Sequence, residues 1–362
     1  MVRVVFSGIF LLVALATGPV SAKELPLFQD DAILKAVLTA PIAQAYAQKT
    51  QKSRIYLPGQ WTYIDGNGET AKLDVSIRTR GNFRRLHCDL APLQLNFRKS
   101  QVKGTLFAGQ NKLKLVSPCF DTPLYQRYVV LEYLAYKTLE LLTDYSFKTR
   151  LIRLSYVDSD EKVEPWTAVT YVIEDDSDMA DRLEMQRIDV ESVAFTDLDR
   201  EKTALAELFQ FLIGNNDYSV LKNSEGEDCC HNSEVLAFDE VSPKIPVPYD
   251  FDFSGLVNAQ YAAPPGHLPI TQVRHRYYTG LCHPPGVLDD AIAHVQSRRE
   301  EIFALFANSE ELNEKGKNSA RSYIESFFKI LDDSRRVKRE VEGRCRGRHL
   351  LEEMMEQAKD PT

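Results

Sequence analysis

Four polar side chains with the chemistry of a metal and phosphate site stand directly beside apolar runs between positions 211 and 255. They are Asp217, Asn223, Asp250 and Asp252. An ionised carboxylate held against a core is costly to desolvate unless a cation or a hydrogen-bond network receives it. In an extended segment Asp250 and Asp252 project to the same side, so both can reach one or two metal ions. The pattern therefore indicates a divalent-metal and phosphate site.

Two such acidic segments, roughly thirty residues apart, are typical of phosphoryl transfer in kinases. The chain resembles the atypical kinases of the spore-coat CotH family, whose motifs run RGN, an apolar strand ending in Glu, GNxD with a downstream Asn, and DxD. The matching residues are Arg80-Gly81-Asn82, Tyr171-Val172-Ile173-Glu174, Gly214-Asn215-Asn216-Asp217 with Asn223, and Asp250-Phe251-Asp252. The resemblance implies an α+β, bilobal protein-kinase-like fold with a β-rich N-terminal lobe and a mainly helical C-terminal lobe.

The resemblance also implies a role for individual residues. Asp217 is expected to orient an acceptor hydroxyl as the catalytic residue, and the expected metal ligands are Asn223, Asp250 and Asp252. The residues expected to bind the nucleotide are Arg80, Lys112, Lys114, Glu132 and Glu174, where either lysine can pair with Glu132 to hold phosphates. The cofactors implied are ATP, as phosphoryl donor, and Mg²⁺ or Mn²⁺. The interval from Asp217 to Asn223 is one residue longer than in protein kinases.

Residue content alone leaves alternatives open for these assignments. Arg78, Arg80, Arg84 and Arg85 around Gly81-Asn82 form either a guanidinium clamp on phosphates or a solvated strand end. The lysines can equally be exposed groups on an edge strand, with Glu132 on a helix surface. The Asp-Phe-Asp turn has an alternative interpretation as a loop cap bonded to backbone amides.

The elements that must position these residues follow from periodicity. An Asp-Gly-Asn-Gly turn at 65–68 between alternating segments predicts a hairpin, and apolar spacing predicts a helix near 124–142. A second helix over about 197–213 is expected to end at Gly214. Further strands are predicted at 93–97, 104–107, 112–116, 146–157, 166–174, 235–238 and 245–248, and further helices at 181–187, 288–308 and 318–348.

Composition sets the class of protein. The chain has 362 residues, of which 44% are hydrophobic and 27% charged, so it can bury a full core. Its net charge of -8 makes nucleic-acid binding an unfavourable interpretation. The predicted organisation is a signal peptide at 1–22, a β-rich lobe with one long helix at 23–175 and a mostly helical lobe at 176–362. Signal cleavage would leave no membrane span and a periplasmic or secreted protein.

Six cysteines form an even set, which favours disulfides in an oxidising compartment. Cys88 and Cys119 flank one block of strands and are the first predicted pair. Cys229 and Cys230 are adjacent and are expected to bond to different partners, such as Cys282. Cys345 would be left for a long-range disulfide or a free thiol. Zinc binding by Cys229-Cys230-His231 and Cys282-His283 is a third alternative, although this spacing fits no standard zinc signature.

The leading hypothesis is a secreted phosphotransferase that moves a phosphoryl group from ATP to a hydroxyl-bearing acceptor, which can be a protein. The alternative is a non-catalytic, kinase-like envelope protein that binds a divalent ion for structure. No Walker phosphate loop, HExxH or GxSxG motif occurs in the sequence, so P-loop nucleotidases, zincins and serine hydrolases have no motif support.

Overall fold

A computed structural model describes residues 25–223 and 227–357 of the chain. The predicted signal peptide at 1–22 lies outside the described residues. The strands are β1 (Leu34–Ala40), β2 (Leu57–Ile64), β3 (Thr70–Thr79), β4 (Leu93–Phe97), β5 (Lys112–Val116), β6 (Thr149–Asp158), β7 (Trp166–Ile173), β8 (Gln186–Arg187), β9 (Ser233–Ala237) and β10 (Ile245–Pro248). The α-helices are α1 (Ile42–Ala47), α2 (Phe83–His87), α3 (Pro123–Leu142), α4 (Asp176–Arg182), α5 (Arg200–Ile213), α6 (Val287–Ser297), α7 (Arg299–Ala307), α8 (Glu314–Leu331), α9 (Ser334–Glu340) and α10 (Arg348–Gln357).

The first seven strands close into a barrel in the order β1-β2-β3-β4-β5-β7-β6. Neighbouring strands are antiparallel except β1 and β6, which run parallel from Leu34 beside Ile152 to Ala40 beside Asp158. Inward and outward side chains alternate along β3, as the two-residue period of a strand requires. Trp61 and Phe107, whose ring centroids lie 5.8 Å apart, help to fill the interior. Barrel closure therefore gives these strands a common packed core.

The closed barrel overturns the expected bilobal protein-kinase-like fold with its β-rich N-terminal lobe and helical C-terminal lobe. The physical reason lies in β1, a segment whose weak alternation fits either a strand or a short helix. This strand pairs with β2 on one side and with β6 on the other, and so closes the sheet. The parallel pairing joins segments far apart in the chain, and no local pattern encodes it.

Many local predictions are confirmed, but the predicted helix at 181–187 is wrong, because α4 ends at Arg182 and β8 follows, and the one at 318–348 is divided into α8 and α9. The hairpin at 65–68 joins β2 to β3, and the Asp65 amide donates to the Glu69 carbonyl at 2.9 Å. The long helix near 124–142 is α3, and Gly214 ends α5 in a left-handed conformation. The strand predicted at 104–107 is wrong, since a series of turns occupies that segment. The predicted helix at 288–308 is divided at Arg298 into α6 and α7.

Helices form a second core outside the barrel. Buried side chains of α3, α5 and α8 pack there, beside a small sheet of order β10-β9-β8. An aromatic edge contact between Phe211 and Phe327, with centroids 5.8 Å apart, joins α5 to α8. None of the described helices is both long and apolar enough to cross a membrane.

All six cysteines lie in the described part of the chain and are paired. The predicted Cys88–Cys119 disulfide is confirmed. The prediction that Cys229 and Cys230 bond to different partners is wrong, because they bond to each other. Cys282 pairs with Cys345 instead, and this disulfide ties the segment before α6 to the one before α10. Paired cysteines are expected of a protein that matures in an oxidising compartment, and they leave no thiolates for the zinc alternative.

Candidate functional site

A polar cavity of about 450 Å³ opens where the barrel meets α3 and the segments that follow α5 and β10. Six of the nine predicted site residues line it, namely Arg80, Lys114, Glu132, Asp217, Asp250 and Asp252. They come from β5, from α3 and from loops distant in sequence. The fold therefore gathers these residues at one place.

Three carboxylates that line this cavity lie close to one another. An oxygen from each of Glu132, Asp250 and Asp252 lies within 4.8 Å of the others, an arrangement able to hold a cation. Glu132, on α3, and Asp252 are buried, and Asp250 is the least buried of the three. Burial raises the pKa of Glu132 and of Asp252, and the nearby charge of Asp250 adds to both effects. Like charges in a desolvated place call for a positive partner.

Arg84 provides one such partner from α2. Its Nη2 lies 2.5 Å from Glu132 Oε2, and its Nε lies 3.0 Å from Asp252 Oδ2. The Tyr261 hydroxyl also donates to Asp252 Oδ2, at 3.0 Å. The positive charge of Arg84 lowers the pKa of both carboxyls, although burial is the larger effect. Arg84 therefore contacts carboxylates, whereas the clamp interpretation placed it on phosphates.

Asp250 is held in an unusual conformation. Its φ is +62°, in the left-handed region that residues other than glycine adopt rarely. Its backbone N–H donates to the Tyr136 hydroxyl of α3 at 2.8 Å, and Tyr136 packs against Phe251 with ring centroids 4.5 Å apart. These contacts hold the backbone of Asp250 in this conformation and keep its carboxylate close to that of Glu132.

Asp217 and His231 form a second polar cluster in the cavity lining. His231 Nε2 lies 2.8 Å from Asp217 Oδ1, and Nδ1 lies 3.2 Å from Asn223 Oδ1. The Asn223 amide nitrogen donates to the Asp228 carbonyl at 3.0 Å, which leaves its oxygen facing the ring. Both ring nitrogens therefore face acceptors, a set that the imidazolium form satisfies. The hydrogen bond to Asp217 accordingly raises the pKa of His231.

Backbone and amide groups fix the Asp217 carboxylate further. Asn232 Nδ2 donates to the Asp217 carbonyl at 2.7 Å and to Oδ2 at 3.1 Å. The Asp217 N–H donates to Asn215 Oδ1 at 3.0 Å. His231 and Asn232 both line the cavity, and neither was assigned to the site from sequence. His231 belonged only to the zinc alternative, and no sequence signal marked Asn232.

Lys114 borders the less polar part of the cavity. Its ammonium forms an ion pair with Asp176 and lies 5.1 Å from the centre of the Phe147 ring. Phe147 also lines the cavity, with Val116 and Ile173. The lining of the cavity thus combines apolar side chains and a cation with the three carboxylates.

The two segments that carry Asp217 and Asp250 are connected by hydrogen bonds and close packing. The Gly255 N–H donates to the Gly214 carbonyl at 3.0 Å, which joins the segment after α5 to the one after β10. A methyl group on either glycine would collide with the Tyr323 hydroxyl of α8. Half-buried Arg276 donates to the Phe211 and Leu212 carbonyls at 2.7 Å each, and so caps the end of α5.

Three predicted site residues lie outside the cavity lining. Lys112 is exposed on β5, two residues from Lys114. Glu174 is buried and bonds to Arg182, with 2.9 Å between Arg182 Nε and Glu174 Oε1, although neighbouring Ile173 does line the cavity. Asn223 is placed by its contact with His231 beside Asp217, and it does not line the cavity with the three carboxylates.

Comparison with known proteins adds no assignment. No protein-family model matches the chain, and no curated protein matches it.

Proposed function

We propose that the cavity binds a nucleoside triphosphate with a divalent cation and transfers its terminal phosphoryl group to a hydroxyl acceptor. The observation that carries this proposal is the convergence of three carboxylates, one lysine and the Asp217–His231 pair on one cavity. Carboxylate oxygens are the donor set that Mg²⁺ and Mn²⁺ favour. The motif order of the CotH kinases, as a resemblance of sites alone, is part of the same proposal.

The oxygen atoms of the carboxylate cluster are suitable ligands for a divalent cation. Glu132, Asp250 and Asp252 offer oxygen atoms close enough to share one ion, and Arg84 brings one positive charge to these three carboxyl groups. When bound, a divalent cation would neutralise phosphate oxygens during transfer. Lys114 would hold other phosphate oxygens, and the wall at Val116, Phe147 and Ile173 would cover a planar base.

Asp217 would orient the acceptor. Each of its carboxylate oxygens accepts one described hydrogen bond, from His231 or Asn232, and each retains a lone pair for a hydroxyl proton. The acceptor oxygen would bond to the γ-phosphorus as the bond from that phosphorus to ADP breaks, and the hydroxyl proton would pass to Asp217. The His231 imidazolium would add positive charge near the transferred group.

A secreted or periplasmic location belongs to the same proposal, and the disulfides support it. The alternative is a non-catalytic envelope protein in which the carboxylates bind an ion for structure. The Asp217–His231 pair in the same cavity favours the catalytic proposal, because holding an ion for structure requires neither side chain.

Thermal unfolding separates the two proposals. ATP with Mg²⁺ should raise the melting temperature of the wild type, because a ligand that binds only the folded state stabilises it. Asp250→Asn should abolish the shift, and Asp239→Asn, in an exposed turn, should retain it. A shift with Mg²⁺ alone that ATP does not increase would favour the structural alternative.

A further inference from the structure

A positively charged surface with exposed apolar side chains adjoins the mouth of the cavity. We call it the basic-apolar surface, and its residues are Lys49, Arg54, Ile55, Arg78, Arg85 and Leu86. It is formed by the segment between α1 and β2, the end of β3 and helix α2. Arg80, which directly follows β3, and Phe83, the first residue of α2, line the cavity. The surface and the cavity are therefore continuous.

Hydrogen bonds hold this surface together. Arg85 donates to the Gly81 carbonyl at 2.7 Å and also to the Lys49 carbonyl. Arg54 Nε donates to the Thr79 carbonyl at 3.1 Å. These contacts bring three separate segments of the chain against one another.

The four cations of this surface form no ion pair with any carboxylate in the described part of the chain. Their partners are carbonyl oxygens and, for Arg78, the Tyr56 ring at 4.5 Å. Desolvation and the like charges of Arg85 and Arg78 lower the pKa of Arg54. This cluster of positive charge contrasts with the net charge of -8 of the whole chain, so it attracts anions to this part of the surface.

The exposed apolar side chains of this region indicate which class of partner it can bind. Three of the seven large apolar residues that are most exposed in the described part of the chain belong to this region, and they are Ile55 (61% exposed), Leu86 (47%) and Phe83 (38%). A purely anionic polymer would leave them in water. A polypeptide with both acidic and apolar side chains would cover them and pair with the arginines.

We propose that the basic-apolar surface binds an acidic polypeptide segment that also carries apolar side chains. Its position at the cavity mouth makes that polypeptide the acceptor, and this last step alone rests on the proposed phosphoryl transfer. Binding itself requires neither nucleotide nor metal.

The test is fluorescence anisotropy with a labelled peptide of mixed glutamate and leucine, recorded without nucleotide. We expect saturable binding that weakens as salt is added, and no binding of the matching lysine–leucine peptide. Arg78→Glu should weaken binding by about fivefold or more, and the double variant Ile55→Ser/Leu86→Ser by a similar factor. Arg335→Glu and Val241→Ser are the matched controls, each 92% exposed elsewhere.

Several results would overturn this inference. They are equal affinity for the glutamate and lysine peptides, unchanged binding in Arg78→Glu or in the apolar double variant, and displacement of the peptide by a sulfated polysaccharide that binds more tightly. Because no nucleotide is present, these outcomes leave the proposed phosphoryl transfer untouched. Failure of the ATP-dependent thermal shift would likewise leave peptide binding intact.

Discussion

Replacing Arg84 with methionine removes the cation that bridges two buried carboxylates. The side chains of Arg84, Glu132 and Asp252 are only 10%, 2% and 4% exposed, so both ion pairs lie out of water. Breaking a buried pair by removing one partner costs about 3–5 kcal/mol, because a charge remains without compensation. Methionine keeps an apolar stem in place, which limits the loss of packing. We therefore expect the free energy of unfolding to fall by about 3 kcal/mol near neutral pH.

The pH dependence of this loss has a defined sign. In the folded wild type, burial raises the pKa of Glu132 and of Asp252 while Arg84 opposes the rise. Without Arg84 both values lie further above those of the unfolded chain. Stability is then lost as pH rises through the folded-state pKa values and returns as pH falls. The difference between variant and wild type should narrow in acid.

The assay is urea unfolding in EDTA, followed by tryptophan fluorescence and circular dichroism. Arg335→Met, at a site 92% exposed, is the control and should stay within about 0.5 kcal/mol of wild type. Adding Asp252→Asn to Arg84→Met should recover part of the loss, since one unpaired charge is removed. Equal stability of Arg84→Met and wild type at neutral pH would refute this reasoning.

Three further variants test the support of the site. Gly214→Ala should cost about 1–3 kcal/mol more in urea unfolding than Gly68→Ala, because both glycines have positive φ but a methyl group is obstructed only at Gly214; equal losses would contradict the packing described. Arg276→Met should cost about 2 kcal/mol, since buried carbonyls lose their donor, and an unchanged urea midpoint would contradict this. Asp217→Asn should lower the pKa of His231, which NMR can measure. In the wild type the Asp217–His231 pair stabilises the fold below a pH of about 6.5, and this contribution is lost as the pH rises through the raised pKa. An unaltered titration of His231 in the variant would show that the pair does not form.

Local features of the fold were accessible from sequence, and pairing over long distances was not. The hairpin between β2 and β3 is encoded by adjacent turn residues, and α3 by its own apolar spacing. Closure of the barrel depends on β1 lying beside β6, and the short sequence of Leu34–Ala40 fits other structures equally well. The disulfides do not follow this division, since Cys88–Cys119 was predicted whereas the adjacent pair Cys229–Cys230 and the distant pair Cys282–Cys345 were not.

Some residues of the candidate site were predicted from sequence, and others were not. Acidic residues beside apolar runs marked Asp217, Asp250 and Asp252, because uncompensated carboxylates at such places need a partner. Their partner Arg84 could not be identified from sequence, because it is one of several arginines in a short segment. His231 reaches Asp217 through a turn formed around adjacent cysteines, and no periodic signal predicts that approach.

The proposal that one cavity holds both a divalent cation and a nucleotide is tested most directly by phosphorus NMR of ATP with Mn²⁺. A paramagnetic ion broadens the resonances of phosphates bound beside it. With substoichiometric Mn²⁺, wild-type protein should bind ATP and broaden the β- and γ-phosphorus signals beyond what free Mn²⁺–ATP produces, and Asp250→Asn should abolish this increment. Equal broadening with and without wild-type protein would contradict the account.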